Sequence, residues 1–269
     1  MFKKLSLTGR LAGVLSGMSL VMSASVFAMS PEEKGMEIAV EMDKRDMGWV
    51  DRTVDMEMIL RNAAGKENVR KMRNFQLEVT DDGDKSLTIF DQPRDVKKTA
   101  FLSFTHSRVP DDQWLYLPAL KRVKRVSSAN KSGPFMGSEF AYEDISSQEV
   151  DKYTYKFIGE EACGESSECF VVAYYPQYEN SGYTRQLQWI DKEMYQARKI
   201  EYYDRKDTLL KVLTLTGYQQ YMDKYWRADR MDMENKQTGK STTMIWKNNQ
   251  FQTGLSENDF NKNALKRAR

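Results

Sequence analysis

Alternation with a period of two constrains this chain more than any other feature. Apolar side chains recur at every second position through Met56, Met58 and Leu60, through Phe75, Leu77 and Val79, and through Tyr153, Tyr155 and Phe157. That spacing puts one face of a β-strand against a core. The segments "ECFVVAYYP", "TRQLQWID", "ARKIEYYD", "TLLKVLTLTGYQQYMDKYW", "ADRMDMEN" and "STTMIWKN" read the same way, and most are bounded by Gly, Asn, Asp or Pro. About ten or eleven strands are expected. No internal repeat or interdomain linker interrupts the series. The expected fold is therefore mainly β, a single strongly curved antiparallel sheet that covers its inner face by curling on itself.

Two segments have helical character. "SPEEKGMEIAVEMDKRD" opens with Ser30 as N-cap, Pro31 at the first helical position and Glu33 three residues after the cap, with Met36, Ala39, Val40 and Met47 as its expected apolar face. "SENDFNKNALKRAR" begins at Ser256, places Asp259 in the first turn and carries Phe260, Ala264 and Leu265 on one side. It finishes in Lys266, Arg267 and Arg269, near the negative end of the helix.

Residues 1–28 read as a cleavable secretory signal peptide. Lys3, Lys4 and Arg10 precede an apolar, small-residue stretch from Leu11 to Val21, and Val26 and Ala28 stand before the expected cut. Gly13, Ser16, Gly17 and Ser19 break the apolar run, which is short for a membrane span. The mature chain is then a single domain, 29–269, with no integral membrane segment. It carries 38 Lys and Arg against 39 Asp and Glu, which leaves no electrostatic footprint for nucleic acid. A lipid-exposed barrel is disfavoured as well, because "DMEMILR" and "TRQLQWID" set polar residues opposite their apolar faces.

Cys163 and Cys169 flank "GESSE" between two strand-like runs, and in an oxidising compartment such a pair is expected to be a disulfide pinning a hairpin. Redox pairs usually have two intervening residues, and a zinc site needs further ligands. His106 is the single histidine, which removes multi-histidine metal sites and leaves a histidine-based triad without redundancy. It is expected to be a strand residue within "FLSFTHS". The pairs Asp81/Asp82, Asp111/Asp112 and Glu160/Glu161 fall in polar, turn-like stretches and read as solvated acids. No phosphate loop or nucleophile elbow occurs, so no catalytic residue and no cofactor is assigned.

One stretch is unusual for a soluble chain. "WLYLPALKRVKRVSSANKSGPFMGSEFAYEDI" passes from an aromatic strand with Trp114 and Tyr116 to the basic run Lys121, Arg122, Lys124 and Arg125, then to a Ser/Gly-rich segment offering Phe135, Met136 and Phe140. This block resembles the most recognisable region of the LolA-like periplasmic proteins, an outer-membrane lipoprotein-sorting-like group often found beside exporters of the RND type. The "GEEACGESSECFVVAYYP" hairpin, the strands of "IDKEMYQARKIEYYD" and the terminal helix with Phe260 and Leu265 agree with it.

The resemblance implies an unclosed β-barrel of LolA/LolB type, with about eleven strands around an apolar cavity plugged by helices. It implies a periplasmic protein that holds acyl chains of lipids or lipoproteins. An arginine gating that cavity in LolA has no match here. On this reading the segment around Phe135, Met136 and Phe140 is a mobile flap over the cavity. Trp114, Tyr116, Met56, Met58, Leu60, Phe75 and Leu77 line the cavity, and Lys121, Arg122, Lys124 and Arg125 form a rim for phosphate head groups. The alternative is a non-carrier accessory or sensor that binds an inner-membrane RND-type exporter or another envelope protein.

Overall fold

The structure, a computed structural model, describes residues 29–164 and 167–267. The signal peptide expected at 1–28 lies outside the described residues. Helix α1 (Pro31–Asp46) leads into thirteen strands: β1 (Asp51–Arg61), β2 (Glu67–Leu77), β3 (Lys85–Gln92), β4 (Ala100–Phe104), β5 (Asp112–Leu117), β6 (Arg122–Arg125), β7 (Tyr153–Ala162), β8 (Glu168–Pro176), β9 (Tyr183–Asp191), β10 (Ala197–Asp204), β11 (Leu209–Tyr221), β12 (Tyr225–Asn235) and β13 (Ser241–Phe251). Helix α2 (Lys262–Arg267) follows. All thirteen strands form one sheet in the order β6-β5-β4-β3-β2-β1-β13-β12-β11-β10-β9-β8-β7. Every pairing is antiparallel, and β6 and β7 remain unpaired edges, so the barrel is open. The count exceeds the expected ten or eleven by β3 and β6: four consecutive residues of β3 are buried, which hides its alternation, and β6 is only four residues within the basic "KRVKR" stretch.

Curvature is visible in the packing. Phe90 on β3 and Ile200 on β10 share one buried cluster, although six strand steps separate β3 from β10. At about 4.8 Å per step a flat sheet would hold them roughly 29 Å apart. The cluster draws on β1 to β4 and on β9 to β13, with Met58, Met72, Phe101, Leu213, Met233 and Met244 all buried.

Each helix seals a different part of the sheet. Ser30 and Glu33 exchange hydrogen bonds in a capping box that fixes the start of α1. Its buried face is Gly35, Ile38 and Ala39 with Met42 half-buried, against Tyr153, Tyr155, Val172 and Tyr174. Of the expected face only Ala39 is buried; Met36, Val40 and Met47 are exposed. Hydropathy alone missed the contact because its closest point is a glycine. A Cβ on Gly35 would stand 2.8 Å from the Phe157 nitrogen and 2.9 Å from that of Lys156, so only glycine lets α1 lie against β7. At the other end, Phe260 and Leu265 are buried on Leu77, Leu87, Ala100, Leu102 and Trp114, as the terminal pattern suggested. Cys163 and Cys169 are joined across the β7–β8 turn with their Cα atoms 5.7 Å apart.

Candidate functional site

The Ser/Gly-rich segment between β6 and β7 is seated in the inner face of the sheet. Pro134 bridges Ala141, and the Phe135 nitrogen donates to the Phe140 carbonyl at 2.7 Å. The turn between them needs Met136 at φ 50° and Gly137 at φ 77°, the left-handed region that Gly137 occupies without steric cost. This small hairpin sets Phe135 and Phe140 into the core, each 2% exposed. The Phe135 ring packs on Phe101 at 5.1 Å, Tyr142 at 5.5 Å and Phe90 at 6.1 Å, in edge-to-face or tilted geometry. The segment expected as a flap over the cavity is seated, and the chain fills its own inner face with these aromatics.

Buried polar contacts pin this plug. Asp144 and Lys211 form an ion pair at 2.6 Å, with side chains 3% and 4% exposed. Lys211 also donates to the Glu139 carbonyl at 2.8 Å, while Asp144 accepts from the Tyr183 hydroxyl at 2.8 Å and from the Ala141 nitrogen at 2.6 Å. Such complete pairing is what burying two charges requires. Glu143 accepts from Gly182, Ser181 and Tyr178, yet burial and the neighbouring Asp144 carboxylate hold its carboxyl above the ordinary range. An Arg70 guanidinium nitrogen donates to the Met136 carbonyl at the hairpin tip. Asp111, read as a solvated acid, is buried against Lys152 at 2.6 Å, with Lys131 at 4.0 Å. Burial lowers the Lys131 ammonium.

The expected cavity residues divide between two faces. Met56, Met58, Leu60, Phe135, Met136 and Phe140 meet in the inner cluster. Phe75, Leu77, Trp114 and Tyr116 lie in the cluster covered by α2. Register explains the split: Met56 pairs with Met72 and Thr53 with Phe75, so Met72 and Phe75 have opposite parity on β2 and point to opposite sides. Lys121, Arg122, Lys124 and Arg125 are exposed on and beside the edge strand β6, and Arg125 pairs with Asp112. Strand β9 also inverts its apparent polarity. Gln186 and Gln188 are buried and hydrogen-bonded to Gln148, whereas Leu187 and Trp189 pack near the disulfide.

A second feature escaped the sequence reading. Between α1, the end of β2 and the 147–150 stretch lies a cavity of about 380 Å³, lined by Met42, Asp46, Arg52, Glu78, Asp84 and Glu149 among others. Burial, reinforced by neighbouring carboxylates, pushes Asp84 and Glu149 up to about 7. Burial and the Arg227 cation lower Arg52 to about 9. No local pattern announces these groups, which come together from distant positions. His106 lies beyond β4 rather than on a strand, with Nδ1 2.5 Å from Asp82 and Nε2 3.8 Å from Asp112. Burial would raise Asp82, but hydrogen bonds from His106, Ser107 and Gly83 outweigh it and bring the carboxyl to about 2. Among the described residues no group of three or more His, Cys, Asp or Glu is arranged to hold a metal ion.

Known structures share this architecture. A domain from Vibrio parahaemolyticus assigned to outer membrane lipoprotein sorting is 59% identical, covers 87% of this chain and 99% of its own, and superposes with a TM-score of 0.85. A DUF1329 family protein from Desulfovibrio piger is 30% identical over 88% of this chain and 99% of its own, with a TM-score of 0.82. The chain belongs to the DUF1329 family. A family model described only as uncharacterized-protein-like matches residues 82–267. The wider fold is that of the LolA superfamily: a member from Nitrosomonas europaea, 16% identical over 86% of this chain and 98% of its own, superposes with a TM-score of 0.68. No curated protein matches the sequence. Within this DUF1329 chain the LolA-like half-barrel is thus occupied by the chain's own 131–146 segment.

Proposed function

We propose that this protein is a periplasmic carrier that holds the acyl chains of lipids or lipoproteins on the inner face of its half-barrel. The 131–146 segment is the internal occupant that yields to cargo. The carrying observation is the replacement of a cavity by Phe135 and Phe140, seated on a floor of Met58, Met72, Phe101, Met233 and Met244. Methionine side chains adapt to irregular apolar partners, as a floor that meets either a phenyl ring or an acyl chain must. The name of the Vibrio parahaemolyticus relative, with its reference to lipoprotein sorting, supports the same reading. Shielding an acyl chain from water is worth about 0.8 kcal/mol per methylene, so a carrier needs shelter and no catalytic group.

Native mass spectrometry of the protein taken from its own periplasm, with titration of a fluorescent acyl probe, tests the proposal. Co-purified lipid or saturable probe binding is expected. A protein that emerges empty and binds no probe would instead be an accessory, retained with an RND-type exporter or another envelope protein.

A further inference from the structure

The two ends of the strands carry opposite charge. Because every neighbour pair is antiparallel, the connections alternate between the ends. Five of them gather at one rim, at residues 62–66, 93–99, 118–121, 205–208 and 236–240, while 177–182 lies against 105–111 where the two edges of the sheet approach each other. The five hold nine Lys or Arg against two Asp or Glu. At the opposite rim the connections 78–84, 192–196 and 222–224 hold six acids against two Lys or Arg. The half-barrel is therefore bipolar, although its total charge is close to balanced.

Among the described residues, Lys66, Arg94, Lys97, Lys98, Lys121 and Lys206 make no ion pair. At the acidic rim Asp82 is engaged by His106, whereas Asp81, Glu193 and Asp223 make no ion pair among the described residues. Leu120, 53% exposed, stands in the 118–121 turn beside Lys121. The tip of the plug reaches this same rim. Arg70 holds the Met136 carbonyl, Thr242 accepts from the Glu139 nitrogen at 3.0 Å, and Asn235 donates to the Glu139 carboxylate at 2.7 Å, the last two from either side of the 236–240 turn.

We infer that the basic rim is a docking face for an anionic phospholipid surface, and that it brings the plug tip to the bilayer. Several unpaired cations distributed over separate turns match a plane of phosphates better than a single extended strand, and an exposed leucine among them suits an interfacial apolar region. The basic run at Lys121 and Arg122 is thereby one part of a wider surface, to which Arg94, Lys97, Lys98 and Lys206 contribute from other turns. The inference extends the carrier reading, and the experiment separates the two.

The test is flotation with vesicles of phosphatidylcholine alone and of phosphatidylcholine mixed with phosphatidylglycerol, alongside acyl-probe titration. The wild type should float with the anionic vesicles and not with the neutral ones. Its binding should disappear at about 0.5 M salt, where the screening length falls to a few ångströms. Replacing Lys97, Lys98 and Lys121 by Glu should weaken anionic-vesicle binding at least tenfold while probe uptake from solution persists. Replacing Lys44, Lys262 and Lys266 by Glu changes the net charge equally, away from the rim, and should alter binding less than twofold. Equal losses in the two triple variants would reduce the effect to net charge and overturn the inference. Wild-type protein that takes up probe but floats with neither vesicle would also overturn it and leave the carrier reading standing, as would binding to soluble polyglutamate without flotation. Flotation without probe uptake would keep the rim and remove the carrier.

Discussion

Substituting Phe135 by Ala separates a plug from an ordinary core residue. The ring is 2% exposed and touches three aromatic neighbours, so its removal falls within the range of about 3–5 kcal/mol for truncating a buried phenylalanine. The lower figure is appropriate here, because Met58, Met72 and Met136 line the space and flexible thioethers can relax into it. If the segment must leave before cargo enters, the apparent affinity is the intrinsic one reduced by the fraction of molecules with an open face. A loss of about 3 kcal/mol in seating the plug then raises that fraction, and the affinity, by about a hundredfold until the open form dominates. Urea unfolding and acyl-probe titration on the same preparations measure both quantities. Leu265→Ala is the control: it empties a fully buried site under α2 and should cost stability without changing the probe affinity. A Phe135→Ala protein that loses stability as calculated yet binds the probe no better than wild type would refute the gating argument.

Replacing both Cys163 and Cys169 by Ser should cost about 2 kcal/mol, the chain-entropy value for so short a loop, readable as a lower melting temperature with probe binding retained. Gly35→Ala should destabilise by about 1–3 kcal/mol, because its methyl meets backbone atoms of Lys156 and Phe157 that cannot rotate away; an unchanged urea midpoint would contradict the close approach of α1. Burial raises Asp84 from 3.8 and Glu149 from 4.5 to about 7, so between about pH 4 and 7 the folded chain holds protons that the unfolded chain has released. Stability from these groups is complete below that window and is lost as the pH rises through 7; melting should be higher at about pH 5 than at about pH 8, and the combined Asp84→Asn and Glu149→Gln variant should flatten the difference. Asp82, depressed to about 2, acts in the opposite sense only in more acid solution.

The sheet was legible because its signal is local: most strands carry their own alternation, and Ser30 with Glu33 writes the start of α1 within four residues. Phe260 and Leu265 were legible for the same reason. Which face each alternation served was not, since Met56 and Phe75 look equivalent until register assigns them opposite sides. The 131–146 segment was misjudged most. Its composition is that of a loop, but what orders it lies far away in sequence: Asp144 finds Lys211, Glu143 finds Tyr178, Ser181 and Gly182, and Met136 finds Arg70. Gln186 and Gln188 mislead for a related reason. Their polar ends bond to one another and to Gln148, contacts that hydropathy cannot register.

The way the plug is held bears on whether it can move. An uncovered inner face built from residues of nine strands would be an apolar patch of the kind soluble proteins seldom expose, so the empty protein needs an occupant. Further apolar contact alone would have supplied one without defining its position. Here the occupant is located by buried ionic and hydrogen-bonded pins, with Asp144 and Lys211 central. Relative to a well-packed hydrophobic replacement, a buried ion pair adds little net stability, although breaking it singly costs about 3–5 kcal/mol. Pins of this kind therefore specify one seated geometry without making the seat very deep. If Asp144 and Lys211 were released together at a hydrated, phosphate-rich surface, both charges would recover water, Lys211 would gain a phosphate counter-charge, and much of that penalty would vanish. The carrier reading thus gains a physical route for unloading the plug where lipid is present and keeping it seated in solution.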